Sequence, residues 1–554
     1  RVIKANDSLP QIKDTIADIR KLVVDVQLLP LLDKRVVINE FSMNHAKLNT
    51  NGFISDLRIK GELEELWLSS KGIDLEGETV EVNGGRLSNA QLDIALSDTA
   101  AVDTTQSETK WKINADSLSI YRSAITLHLP GDTLNVDAYL GQVVAREADI
   151  DLGTGIYRVA SFDWHDGRLS YDNRLEPEMQ GLDYNHIALE GIRLGVDSIS
   201  YSPSGTSLYI RQTAAKERSG LEITDLRGVL KLDSTMNHIE IPSMILKTPD
   251  SDLAAEIDMD FNAFDEQNPG NMRLRLNAQL GKQDLMRFVG DMPQKFIQRY
   301  PNYPISIKGS LNGNIQQMEF TGLDISLPTA FHLTANGTAG NVTDLNKLKA
   351  DVRLNAKAQD LGFVTAMLDP KIASDYRIPN GIILDGTMKA NGPKYTANLT
   401  AREGSGTIRL DGTATIPQNN RGEMNLDAVS YDANIKVSNI NVHHFMPKDS
   451  IYTVTATIKA KGYGTDFLSN RSHLTADATI SHLQYGQWNL KDLTAIANLS
   501  NGRGQATVTG HNELLNGNIG IDALLSTKKL EATISADIAR ADLFRLRLVN
   551  DTLT

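Results

Sequence analysis

The chain has 554 residues, 41% hydrophobic but only 6% aromatic, with a net charge of −13 and no cysteine. An acidic balance with no polybasic block argues against nucleic acid as a partner, and zero cysteines exclude zinc-thiolate sites, disulfides and thiol catalysis. No run reaches the ~18 uninterrupted apolar residues that a membrane-spanning helix needs.

The first expected element is a helix over 9–20, opened by Asp7 or Ser8 before Pro10, with Leu9, Ile12, Ile16 and Ile19 at three- and four-residue steps. Residues 21–43 read as strand, a tight turn at LLPLLDK, and strand; further strands run to about 97. A polar stretch, DTAAVDTTQSET (98–109), reads as a loop, and short strands resume through 110–173.

The clearest pattern lies between Asp183 and Phe261. Apolar residues take every second position in short runs, such as Ile187 and Leu189, then Ile192, Leu194 and Val196. Leu208 with Ile210, Leu230 with Leu232, Ile239 with Ile241, and Leu253 through Ile257 continue it. A period of two is that of a strand with one buried face, and the breaks at SPSGT, ERSG and TPDSD are turn chemistry. The expected fold is mainly β: many short antiparallel strands in one long, twisted, curved sheet, apolar on one side.

After Phe261 a coarse repeat sets in, with units starting near 271, 351, 432 and 531. Each is an alternating strand followed by an Asp- or Asn-led segment containing an aromatic, headed by Asp284, Asp360, Asn441 and Asp542. Those heads suit helix N-caps, so a few short helices are expected along the edge of the sheet. The organisation read from this is a β-rich segment over 1–261, continued over 262–554 by repeats that must stack to bury a core. On the order of 40 strands at ~4.8 Å spacing predict a radius of gyration of about 40–55 Å, against roughly 24 Å for a compact globule of this length.

No chemical motif stands out against a structural reading. Adjacent His443 and His444 point to different faces, so they do not share one ion without distant help. Trp164-His165-Asp166 has no nucleophile signature nearby. NGRG (501–504) lacks the Lys-Ser/Thr ending of a phosphate loop, and GSG (404–406) lacks the frame of a nucleophile elbow. The Asp149/Asp151 and Asp258/Asp260 pairs alternate with apolar residues and lack the Gly bend and distal Glu of a calcium loop. The expectation is no catalytic residue, no metal and no cofactor.

What remains is the apolar face. Its expected lining is Ile192, Leu194, Val196, Leu208, Ile210, Leu230, Leu232, Leu253 and Ile257, then Leu274, Leu276, Leu354, Ile382, Leu384, Val454, Ile458, Leu474, Ala476, Ile480, Ile534 and Ile538. Ala and Gly are frequent on that side, where a sandwich core normally holds large residues. Such a face must close on itself, dimerise or hold something apolar.

The helix–strand–LLPLL–strand opening (9–41), the segment SGLEITDLRGVLKLDS through IEIPSMILKTPDSDLAAEIDMDF (219–261) and the DLxxF-like units resemble the AsmA-like family of translocation and assembly module (TamB-type) proteins. The Asn-, Asp- and Ser-rich style is similar to its Bacteroidota-type members. That resemblance implies a periplasmic bridge in a Gram-negative envelope, with an elongated hydrophobic groove that moves phospholipid between inner and outer membranes. Its implied partners are acyl chains, the inner membrane through an N-terminal helix, and an outer-membrane barrel protein through a C-terminal domain; neither of these two hallmarks is in this sequence, which the resemblance reads as a central fragment. An assembly factor that binds client β-strands, and a closed β-solenoid scaffold or adhesin stalk, are the alternative expectations.

Overall fold

A computed structural model describes residues 2–544 apart from 6–12, 34, 51–56, 97–109, 130–132, 290–291, 343, 368–375, 420–423, 526–529 and 543. The polar stretch expected as a loop at 98–109 therefore lies outside the described residues. Thirty strands and three short α-helices account for nearly all regular structure among the described residues. None of those helices is long and apolar enough to cross a membrane. The chain divides into two units, one of Arg1–Phe261 with Leu276–Met292, the other of Asn262–Arg275 with Pro293–Thr554.

The first unit is a sheet laid down in chain order: β1 (Val2–Ala5), β2 (Lys13–Gln27), β3 (Arg35–Asn49), β4 (Leu57–Asp74), β5 (Thr79–Ser88), β6 (Gln91–Leu96), β7 (Lys112–His128), β8 (Leu134–Asp151), β9 (Ile156–Asn173), β10 (His186–Ser202), β11 (Gly205–Glu217), β12 (Glu222–Ile223), β13 (Asp225–Asp233), β14 (His238–Lys247) and β15 (Asp252–Asp260). Neighbours pair antiparallel, with one exception to the expected pattern. β5 and β6 both lie against β4, end to end, and both pair parallel with β7, which starts from the same rim as β5.

The helix expected over 9–20 is not there. From Lys13 onward the chain is strand β2, and 7–12 lie outside the described residues. The three-residue steps that mimic a helix have another cause. Ile16 is the extra residue of a bulge, since Thr15 faces Ile3 and Ala17 faces Val2. From Ile19 to Leu22 the ladder is interrupted again, at Arg20.

That second interruption recurs from strand to strand between β2 and β10. Between Asn44–Glu65 and Ala46–Leu63 the pair His45/Glu64 drops out of register. Arg122/Gly141 and Gly141/Asp166 drop out in the same way farther along. His45, Asn89, Arg122 and Asp166 hold φ of 53°, 50°, 45° and 53°, and Gly191 continues the line at 63°. These are left-handed conformations that a strand adopts only at a bulge, where it bends. On one side of this crease Ala46, Leu63 and Ala90 are buried and pack against Met43, Leu66 and Leu87. The apolar residues thus stand three apart across the crease, while the two between them (Asn44 and His45, Glu64 and Glu65, Ser88 and Asn89) line one cleft on the polar side. The expected short strands are accordingly too short and too many. Ile187–Leu189 and Ile192–Val196 belong to a single strand, β10, broken in phase but not in backbone at Gly191.

β16 (Met272–Leu280) leads into helix α1 (Lys282–Val289). The second unit continues with α2 (Gln294–Arg299), β17 (Ile305–Asn314), β18 (Gln317–Leu327), β19 (Phe331–Gly340), β20 (Lys349–Ala358), α3 (Gly362–Thr365), β21 (Ile383–Asn391), β22 (Lys394–Glu403), β23 (Gly406–Thr415), β24 (Ser430–Asn441), β25 (Ile451–Tyr463), β26 (His473–Tyr485), β27 (Trp488–Ser500), β28 (Arg503–His511), β29 (Leu515–Leu525) and β30 (Leu530–Ala541). From β17 to β30 each strand pairs antiparallel with the next. Two-residue turns make many of these hairpins; Asn501-Gly502, at φ 52° and 71°, joins Ser500 to Arg503 as the preferred Asn-Gly hairpin turn does. The NGRG stretch is that turn.

Asp284, Asp360 and Asn441 do stand beside short helical segments, but only Asn441 takes the cap position expected. Asp284 lies inside the first turn of α1, almost wholly buried, and accepts from Ser251 Oγ (2.7 Å), Thr248 Oγ1 (2.5 Å) and Arg287 Nη1 (2.7 Å). It pins the helix to the turn before β15. Asp360 accepts from the Gly362 N–H (2.8 Å), while Leu361 takes the cap position of α3. Asn441 holds the N-cap position of a 3-10 turn (Val442–His444) without a side-chain cap bond, its Nδ2 lying 3.1 Å from His444 Nε2. Beyond Asp542 the chain lies mostly outside the described residues. α2 and α3 meet through Phe296, Tyr300 and Phe363, whose rings pack 5.4–5.7 Å apart.

Candidate functional site

In a ladder, residues directly opposite one another share a face, so the register defines which side chains stand in rows across the strands. In the first unit one such row runs Val24, Phe41, Leu68, Gly85, Leu118, Ala145, Phe162, Val196, Ile210, Gly228, Met244, Ala255. Every member is apolar or glycine, from β2 to β15. A second row, Leu22, Met43, Leu66, Leu87, Ile120, Val143, Trp164, Leu194, stands beside it.

The second unit repeats the arrangement in three parallel rows. The middle one is Leu323, Ala335, Leu354, Gly386, Leu399, Leu410, Ile435, Ile458, Ala478, Ala495, Val508, Ile519, Ala536. One flank includes Leu333, Leu384, Ile408, Val437, Ile480, Leu493 and Ile538. The other opens on Val352 and Met388 and then turns small through Ala397, Gly412, Ala433, Ala460, Ala476, Ala497 and Ala506, ending on Ile521 and Ile534. Rows two residues apart are about 6.7 Å apart, so three rows make a band about 13 Å wide.

Ten of the twenty-one expected lining residues fall in these rows, and the others stand elsewhere on the strands. Val196 and Ile210 are neighbours in the first unit, Leu194 stands in the row beside them, and Leu208 faces Leu230. Ile257 faces Ile241, Leu253 faces Leu246, and Leu232 faces Ile239. Leu354 and Ile458 share the middle row of the second unit, Leu384, Ile480 and Ile538 one flank, and Ala476 and Ile534 the other. Leu474 stands one step beyond, opposite Gly462 and Leu499, and Val454 opposite Ile440. Leu274 and Leu276 alternate with exposed Arg273, Arg275 and Asn277 on β16. Ile192 is buried at the crease opposite Gly167 rather than on the open face. Ile382 lies just outside β21, its carbonyl accepting from the Ala358 N–H (2.9 Å).

Burial along the rows is uneven: Val143, Val196, Ala255, Ala335 and Leu493 are buried, while most other members are half-buried. Along β20 the residues alternate without a break between exposed (Lys349, Asp351, Arg353, Asn355, Lys357) and half-buried (Ala350, Val352, Leu354, Ala356, Ala358). Leu399, Leu410, Ile435, Ile458 and Val508 are likewise half-buried. At the last strand the cover thins, and Ile534 is 70% exposed.

The opposite face is polar and ion-paired: Lys389–Asp351 at 2.7 Å, Lys461–Asp432 at 3.3 Å, Arg146–Asp163 at 3.1 Å and Arg211–Asp197 at 2.8 Å. Exposed pairs of this kind contribute little stability and mark the solvent side. Arg503 grips Asp522 through two hydrogen bonds, one of 2.7 Å, and this pairing holds the Asp522 carboxyl down at about 2.

The histidines have structural partners. His443 stacks on Tyr452 with ring centroids 5.1 Å apart and meets the Asp449 carbonyl at 2.8 Å; His444 meets Glu403 at 2.8 Å. His186 and Asp183, both buried, meet at 2.9 Å, and Asp183 also accepts from the Met179 and Asn185 N–H groups, which lowers its pKa. Among the described residues no three or more His, Asp or Glu side chains are grouped so as to hold a metal ion. Trp164 belongs to the apolar row, its indole lying across Gly167, where a Cβ would overlap the ring. The sequence reading missed the crease of His45, Glu64, Asn89, Arg122 and Asp166, although its signal is present as apolar spacings of three.

No protein-family model, curated protein or solved structure matches this chain. The rows, their burial and their chemistry carry the functional reading.

Proposed function

We propose that the apolar face is a groove for acyl chains, and that the chain is a bridge-like lipid-transfer protein moving phospholipid between the inner and outer membranes of a Gram-negative envelope. The observation that carries this reading is the unbroken set of apolar rows in each unit, most of whose members are half-buried. An acyl chain asks for apolar area and little directional recognition, and each buried CH₂ contributes ~0.8 kcal/mol. Rows of aliphatic side chains supply that area without a specific site. The periplasmic setting, the inner-membrane anchorage and an outer-membrane barrel as partner come from the resemblance to TamB-type proteins and belong to the same proposal.

The test is the lipid content of the purified protein, by solvent extraction and native mass spectrometry. Co-purified phospholipid, exchangeable for added labelled lipid, is expected. A protein that is lipid-free and takes up none would leave the groove reading without support and favour a closed scaffold.

A further inference from the structure

One rim of the first unit carries apolar residues where turns are normally polar. The β2–β3 connection closes with a 3-10 turn (Leu29–Asp33), in which Leu29 and Leu32, with the preceding Leu28, are 80%, 83% and 77% exposed. Beside it lies the β4–β5 turn, because Arg35 pairs with Asp74, and its first residue, Leu75, is half exposed. The β8–β9 and β13–β14 turns on the same rim present Leu152 and Met236, also exposed.

Three of these turns share a construction. The last strand residue is an aspartate whose carboxylate accepts N–H groups of the turn: Asp74 from Glu76 and Gly77, Asp151 from Thr154, Asp233 from Asn237 and His238. Each carboxylate is spent on shaping its turn, and the apolar side chain is left outward. Those hydrogen bonds hold the Asp74 and Asp151 carboxyls below the usual aspartate range, and the Thr235 hydroxyl together with them does so for Asp233.

We propose that this rim, centred on Leu28, Leu29, Leu32 and Leu75, seats on the surface of a zwitterionic lipid bilayer and so sets the protein where acyl chains enter the groove. The proposal rests on the lipid-transfer reading above. Two observations favour a bilayer over a protein partner. The tips are aliphatic, whereas protein hot spots favour Trp, Tyr and Arg over Leu. The apolar rows also run out to them without a gap, since Leu22 and Val24, themselves half exposed on β2, lead directly to Leu28. Among the described residues the charges nearby are mixed, with Asp74, exposed Glu76, Glu78 and Asp151 set against Arg35, Lys110 and Lys112, so no excess of positive charge draws anionic lipid.

The experiment is co-flotation of the purified protein with phosphatidylethanolamine–phosphatidylcholine vesicles, with and without phosphatidylglycerol. Replacing Leu28, Leu29, Leu32 and Leu75 together by Ser is expected to lower vesicle partitioning on the order of 100-fold, without changing co-purified lipid. In the separate Leu28→Trp variant, which keeps an apolar tip, tryptophan emission should shift to the blue on adding vesicles. Equal flotation of wild type and the four-Ser variant would overturn the proposal. So would binding that requires phosphatidylglycerol, or self-association lost in the four-Ser variant without any flotation, which would assign the tips to a protein contact. Lipid content reports on the groove and flotation on the rim, so a lipid-free protein that still floats would sink the lipid-transfer reading and leave only the bilayer contact of the rim.

Discussion

Ala476→Asp separates the groove from the fold better than any larger change. Ala476 lies in the small-residue row between Ala460 and Ala497 and is half-buried. Losing an alanine methyl forfeits little apolar burial, so the cost to folding is the partial desolvation of one carboxylate, about 1–2 kcal/mol. With an acyl chain over the row, the same carboxylate would lose its remaining water, a further ~1–3 kcal/mol, or roughly 10- to 100-fold in lipid occupancy. Asp477→Ala is the matched control, one residue away on the polar face and opposite Lys459; it should change stability by less than ~0.5 kcal/mol. The assay is phospholipid per protein by native mass spectrometry, with urea unfolding alongside. Ile534→Asp is a second probe, expected to act more weakly because Ile534 is already largely exposed. If Ala476→Asp and Asp477→Ala keep equal lipid at equal stability, the face does not carry acyl chains.

Other perturbations test particular joints. Arg503→Gln should return the Asp522 carboxyl from about 2 toward the ordinary aspartate range in an NMR titration; the stability from that pair is present above the ordinary range and lost as pH falls toward about 2. For His238, raised chiefly by Asp260 at 2.7 Å, the sign is opposite: its share is full at acid pH and disappears as pH rises through the elevated pKa, so His238→Gln should flatten that limb. Gly167→Ala should cost about 1–3 kcal/mol by overlapping the Trp164 indole, and a Trp164→Leu background should remove most of that cost. Asn439→Val, at a φ of 52°, should cost about 1–2 kcal/mol in urea unfolding while Asn439→Gly is near neutral. Joint His443→Ala and His444→Ala should leave lipid carriage intact, and stoichiometric metal lost in that variant would contradict the structural roles given to both rings.

How much of this was legible in the sequence depends on where the backbone departs from a flat ladder. β20, with its strict alternation from Lys349 to Ala358, could be read outright because nothing interrupts its period. β2 could not, since Ile16, Ile19 and Leu22 step by threes at a bulge and a crease, and three is also a helical step. The left-handed residues that cause the shift, such as His45 and Arg122, are not the glycines that advertise such positions. Their alignment from strand to strand is a property of register, which a single chain read along its length does not display. Asp284 illustrates the same limit: its type suited a cap, but its partners, Thr248 and Ser251, lie more than thirty residues away in the chain.

The period of two says which residues share a face but not whether that face is covered, and the functional reading turns on the cover. Two packed sheets meet about 10 Å apart and need large inward side chains to fill the gap. The rows of the second unit do not supply them evenly: Leu399, Leu410, Ile435 and Ile458 stand beside Ala397, Gly412, Ala433 and Ala460. A rigid partner sheet laid over that step from large to small would leave the small row unfilled, and voids of that kind are costly. A flexible hydrocarbon chain can settle against the small row and use the large one as a wall. The side-chain sizes therefore favour a mobile apolar occupant over a second protein layer, and Ala476→Leu, which fills the step, should lower lipid occupancy while leaving the fold as stable as before.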